Sequence, residues 1–131
     1  IKRDGLNKKI KYRGFVSHGE ALALEKGASV LLHIGNSIDA QVPGKVYEYM
    51  GSGRPVLCIR GNKNDESADM VLRYNKGIVV NNDKEGIKQG IMKLYHLWRQ
   101  GRLDASYNTG AVEDATWRRS AERIDSVMGS I

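Results

Sequence analysis

One cysteine in 131 residues leaves the chain without a disulfide framework. Cys58 falls in an apolar stretch, where a buried structural thiol is expected rather than a reactive one. No apolar run approaches the roughly 20 residues that a membrane helix needs, and nothing resembles a secretory leader. The cytoplasm is the expected compartment. Ile1 is not an initiator Met, so a piece of a longer protein is expected. His18, His33 and His96 are far apart, none with Cys or Asp at ligand spacing, so no metal is expected. Gly35 and Gly44-Lys45 are too widely separated for a phosphate-binding P-loop, and Val46 stands where Ser or Thr would hold magnesium. Gly51-Ser52-Gly53 precedes a strand pattern, whereas a dinucleotide fingerprint precedes a helix. No aromatic interleaving or nucleic-acid module accompanies the basic residues, so no nucleic-acid partner is expected. Without repeats, low-complexity tracts or linkers, residues 1–131 read as one domain with one modest core.

What is present is an ordinary globular composition, 40% hydrophobic and 27% charged, with a net charge of +6. Lys2, Arg3, Lys8, Lys9, Lys11 and Arg13 concentrate positive charge at the start. A solvated surface beside a strand edge accounts for them; the same cluster suits a phosphorylated substrate or the inner face of a membrane.

Apolar runs alternate with amphipathic runs, the pattern of β-α-β units on a parallel sheet. Strands are expected at Ile10–Val16, Ser29–Gly35, Pro55–Arg60 and Gly77–Asn81. Helices are expected at Gly19–Gly27, Gly44–Ser52 and Glu66–Tyr74, and after the capping pair Asn82-Asp83. In that long helix Ile87, Ile91, Leu94 and Trp98 share a face, and Gly101 ends it. Thr116 is the expected N-cap of a last helix buried through Trp117, Ala121, Ile124 and Met128. Trp98, Trp117 and Met128 read as core anchors, His33 as a satisfied core residue and His96 as a helix-surface or packing residue. The expected architecture is a Rossmann-like three-layer α/β/α domain with a mainly parallel sheet of about four strands. A ligand in such a sheet lies beyond the carboxyl ends of the strands.

The most informative stretch runs from Gln41 to Leu57. Pro43 and Gly44 open a short helix, and a helix N-terminus at a sheet rim offers unpaired amides and positive dipole to phosphate oxygens. Lys45 adds a charge there. Glu48, one turn in, can accept hydrogen bonds from vicinal hydroxyls such as those of a ribose. Diphosphate plus sugar hydroxyls points to a nucleotide or nucleotide-sugar. A surface Lys45–Glu48 pair at i,i+3 explains the same residues without a ligand.

Pro43-x-Lys45-x-x-Glu48-Tyr49-x-x-x-Gly53-x-Pro55-Val56 resembles the donor-binding segment of retaining, family 4-type glycosyltransferases with the two-Rossmann (GT-B) fold. Arg13-Gly14-Phe15-Val16-Ser17, Asn75-Lys76-Gly77-Ile78-Val79-Val80 and Ala115-Thr116-Trp117 resemble further pieces in the same order. The resemblance implies part of the C-terminal, donor-binding lobe, lacking its opening β-α unit and the whole acceptor lobe, so the isolated chain is expected to be inactive. It implies that Glu48 binds the donor ribose and that Pro43, Gly44 and Lys45 neighbour the diphosphate, with Ser17 and Ser37 in donor-side loops. The family's second glutamate, eight residues before the first, falls at Ala40, which leaves Asp39 beside it as the catalytic candidate. By the same resemblance Asn64, Asp65 and Ser67 correspond loosely to a donor-side loop; a polar turn with a helix cap explains them equally well. The implied reaction moves a sugar, with retention, from a nucleoside-diphosphate sugar to a hydroxyl of a glycan or lipid-linked acceptor held by the missing lobe. That points to bacterial-type envelope or polysaccharide synthesis. No cofactor is implied, and no Asp-x-Asp, the mark of metal-dependent transferases of the other main fold, is present. Two other readings keep the architecture: a non-catalytic binding module, and another nucleotide-sugar enzyme such as an epimerase. An exposed sheet edge would favour a dimer.

Overall fold

The computed structural model describes residues 9–36, 42–112 and 116–129, apart from the side chains of residues 117, 120 and 123. Three strands, β1 (Leu31–Ile34), β2 (Val56–Ile59) and β3 (Gly77–Val80), form a parallel sheet in the order β1-β2-β3. Leu31, Val56 and Gly77 stand in one row, and Ile34, Ile59 and Val80 in another. Helices α1 (His18–Gly27), α2 (Gly44–Gly51), α3 (Glu66–Arg73) and α4 (Lys84–Arg99) alternate with the strands; the short α5 (Leu103–Ser106) and α6 (Trp117–Met128) follow. This is a Rossmann-like α/β domain.

Burial follows composition strand by strand. β2 is apolar at all four positions and buried at all four, as a central strand covered on both faces must be. On one face Leu31, Val56 and Cys58 pack with Val46 and Met50 of α2, Ala68 and Val71 of α3, and Val112. On the other, Leu57 packs with Leu94 of α4 and Leu103 of α5. Gly90 brings α4 close to the sheet: a Cβ there would lie 2.8 Å from Val80 Cγ1 and 3.1 Å from Leu57 Cδ1. β1 is covered on one face only, so Leu31 and His33 are buried while Leu32 and Ile34 stay exposed.

Four caps match side chains the sequence supplies. Ser17 and Glu20 form a capping box at α1, and Asp65, Asp83 and Thr116 accept from third-residue amides at α3, α4 and α6.

Three expectations are corrected. Ile10–Val16 is not a strand: Tyr12 is 93% exposed, Phe15 is fully exposed, and Gly14 takes φ +70°. A strand exists through its pairing, and the basic residues alternating through this run keep it solvated. The sheet therefore has three strands among the described residues. On α4, only Leu94 of the expected quartet is fully buried; Ile91 and Trp98 are about half exposed because Gly90, not Ile91, meets the sheet. Trp98 is therefore no core anchor. On α6, Ala121, Ile124 and Met128 are exposed, so its apolar stripe is not core, Met128 included. The Trp117 side chain lies outside the described set. Among the described residues, no helix is long and apolar enough to cross a membrane.

Candidate functional site

α2 is seated by Val46 and Met50, each 1% exposed against the sheet. Burial of two such side chains contributes about 3–5 kcal/mol, enough to fix the helix and what it carries. Its N-cap is Pro43, in extended conformation with no side-chain cap, and the Pro43 carbonyl accepts from the Val46 amide at 2.9 Å. The first-turn amides of Gly44 and Lys45 have no acceptor within the helix, by the geometry of any helix start.

Gly44, Tyr47, Glu48 and Gly51 recur at i, i+3, i+4 and i+7 and so share one flank of α2. That flank forms one wall of a cavity of about 340 Å³, closed on the other side by Ala111, Val112 and Thr116. The volume is at the lower end for small-molecule sites, about 300–1,000 Å³. Glu48 and Gly44, read separately from sequence, thus face the same space.

Lys45 does not. Its ammonium is drawn one turn along the helix, 5.9 Å from the centre of the Tyr49 ring. There it lies 2.6 Å from Glu48 Oε2 and 2.5 Å from Glu25 Oε1 of α1. Hydrogen bonds donated to Glu25 first and Glu48 second raise the ammonium pKa far above the usual lysine value. Burial pushes the Tyr49 hydroxyl up as well. The cluster carries two carboxylates and one ammonium, a net negative charge; the Lys45–Glu48 pair is the one the i,i+3 spacing offered, and Glu25 adds the second carboxylate.

Glu25 is the residue that sequence reading missed. Its side chain is only 10% exposed, and Oε2 has no hydrogen-bond partner. α1 meets the body of the domain here and through the Lys26 carbonyl, which accepts from Arg54 Nε at 2.7 Å. Within Ala21-Leu22-Ala23-Leu24-Glu25-Lys26 nothing marks Glu25 as enclosed; a late glutamate on a short helix reads as solvated.

Ser17 is exposed, and its hydroxyl is engaged in the α1 capping box with Glu20. It does not line the α2 cavity. Ser37 and Asp39 lie outside the described residues, as does Ala40. The loop after β2 is built around Asp65: Oδ2 accepts from the Gly61 amide at 2.9 Å and Oδ1 from the Ala68 amide at 3.2 Å. Gly35 packs so closely on this carboxylate that any side chain there would collide with it. Asn64 donates its amide to Asn62 Oδ1, and Asn62 Nδ2 donates to the Asn36 carbonyl at 2.9 Å.

His33 is buried as expected, but Nε2 has no partner, so it is not the satisfied core residue expected. Burial lowers its pKa, with the Asp65 charge pulling the other way. Ser67 Oγ is likewise enclosed and unpartnered. Ser67, His33 and Asp65 are the residue types of a nucleophilic triad, but neither Ser67 Oγ nor His33 Nε2 makes a hydrogen bond. No proton relay connects them. Burial pushes the Cys58 thiol up to about 12, which suits a structural thiol and not a nucleophile.

A second ionisable side chain is enclosed beside the sheet. Lys76, just before β3, is completely buried; its ammonium donates to the Gly110 carbonyl, and desolvation lowers its pKa. It anchors the segment that carries Val112 over the core. Comparison with models of known protein families, with curated proteins and with solved structures finds no match.

Proposed function

We propose that this chain is the nucleotide-sugar-binding part of a GT-B, family 4-type retaining glycosyltransferase. The reading rests on one observation: Glu48 and Gly44 share a cavity wall on a short helix that follows a parallel strand. The order of motifs along the chain supports it. In this reading the ribose hydroxyls of the donor donate to Glu48, and the diphosphate faces the first amides of α2, where the helix dipole favours negative charge. In the parent enzyme the same amides stabilise the nucleoside diphosphate as it leaves. The acceptor, a glycan or lipid-linked hydroxyl, belongs to the other lobe, so the chain alone binds donor without transferring it. Ser37 remains a candidate on the donor side and Asp39 the catalytic candidate, and work at the inner membrane face fits the basic N-terminal cluster.

One observation favours a second reading. Lys45 is engaged by two carboxylates, as it would be in a Rossmann-like interaction module whose Lys45–Glu48 pair is only structural. An amide-resolved NMR titration with UDP, GDP and their sugar conjugates separates the two. Donor binding predicts shifts confined to residues 35–53 and reduced at least about tenfold in affinity by Glu48→Ala. A dispersed spectrum indifferent to every nucleotide favours the module.

A further inference from the structure

Lys45 is not shared evenly between its two carboxylates. Glu25 presents a side chain only 10% exposed, whose second oxygen is enclosed and unpartnered. The Glu48 side chain is 33% exposed, and the residue lines the α2 cavity. Taking Lys45 from Glu25 would strand a charge where water barely reaches, the costly half of breaking a buried pair. Taking it from Glu48 leaves a carboxylate that water or a ligand hydroxyl can satisfy at once. When a ligand arrives, Glu48 is therefore the group that changes partner, and Lys45 stays with Glu25. Charge counting agrees. Two carboxylates and one ammonium leave the empty cluster with one net negative charge, which repels phosphate.

We propose that Glu25 is a specificity-determining residue: it holds Lys45 as an internal counter-ion, withdraws that cation from anion recognition, and leaves the site to read sugar hydroxyls through Glu48. The identity of the hydroxyl-bearing ligand rests on the nucleotide-sugar reading; the charge balance does not. The phosphates of such a ligand then meet backbone amides of α2 and no lysine.

The test titrates inorganic pyrophosphate, and separately uridine and guanosine, into three proteins at low ionic strength. These are the wild type, Glu25→Gln and the double variant Glu25→Gln/Lys45→Met, each followed at the Gly44 and Lys45 amides. Gln keeps the size and an acceptor while deleting the charge. Glu25→Gln should bind pyrophosphate on the order of tenfold more tightly than the wild type, with a steeper salt dependence. The gain should vanish in the double variant, whose cluster again carries one net negative charge. Nucleoside affinity should be the same in all three. Equal pyrophosphate affinity in the wild type and Glu25→Gln, or a gain that survives removal of Lys45, overturns the proposal. Should Glu25→Gln fail to fold, the double variant decides alone: pyrophosphate binding weaker than wild type would mean that Lys45 already serves anions. Failure of the nucleotide-sugar reading has a different signature, no shifts with nucleosides, UDP or GDP in the wild type, and leaves the pyrophosphate comparison intact.

Discussion

Lys45 and Lys76 occupy the two ends of what a protein can do with an ammonium group. Lys45 is 42% exposed yet held by two carboxylates; Lys76 is wholly enclosed and given one backbone carbonyl. The first environment favours the charged form and raises the pKa, and the second disfavours it and lowers the pKa. The difference teaches where charge matters. At α2 the ion pair sets the electrostatic character of a cavity wall. Beside β3 the long aliphatic stem fills core space, and the charge is a burden the Gly110 carbonyl partly relieves.

The largest expected effect breaks this contrast at Lys45. Lys45→Met strands the Glu25 carboxylate and should cost about 2–3 kcal/mol in urea denaturation, below the ~3–5 kcal/mol of fully buried pairs because Lys45 is screened by solvent. Adding Glu25→Gln should restore more than half of that loss. Next, Lys76→Met keeps the stem and removes the charge, so the unsatisfied Gly110 carbonyl and the relief of desolvation nearly cancel, at about 1 kcal/mol or less. A larger loss at Lys76 than at Lys45 would invert the comparison.

A pH series sharpens it. The lowered pKa of Lys76 means that the unfolded chain binds more protons between its folded value and the ordinary value of about 10.4, so stability rises with pH in that window. The raised pKa of Lys45 acts oppositely: its contribution is complete below about 10.4 and falls away only above that. The stability of the wild type minus that of Lys76→Met should therefore grow as pH rises toward 10. A flat difference would mean that Lys76 is not desolvated. The smallest effect concerns Cys58, which shares a core cluster with Val112. Lys76→Met should speed alkylation of Cys58 about threefold more than its loss of global stability explains, by loosening residues 110–112 locally. Lys45→Met should change that rate only in step with global stability.

How much of this was legible in the sequence depended on whether local pattern or neighbours decided the outcome. β2 is apolar at every position and could be read directly, as could the caps at Asp83 and Thr116. The grouping of Pro43, Gly44 and Glu48 at a helix start was equally local. Ile10–Val16 failed because a strand needs a partner, and alternating Lys9, Lys11 and Arg13 satisfy an exposed chain just as well. The α4 face was misjudged because large apolar residues were favoured over Gly90, whose missing side chain is what permits close approach. Glu25 was invisible for a related reason. Its importance comes from Lys45 on the following helix, a relation that helical periodicity within α1 does not encode.

The parallel sheet has a consequence for tempo. Leu31 pairs with Val56, and Val56 in turn with Gly77, so each neighbouring pair of strands joins residues more than twenty positions apart. Among the described residues, no hairpin offers a short first step. Each pairing requires a crossover loop carrying a helix to close before it returns any hydrogen bonds, and that entropy is spent before it is recovered. Helix formation and collapse around Val56 and Cys58 are the steps expected ahead of the sheet. On that expectation, the rate at which this domain becomes native follows the search that brings β1 and β3 to either side of β2.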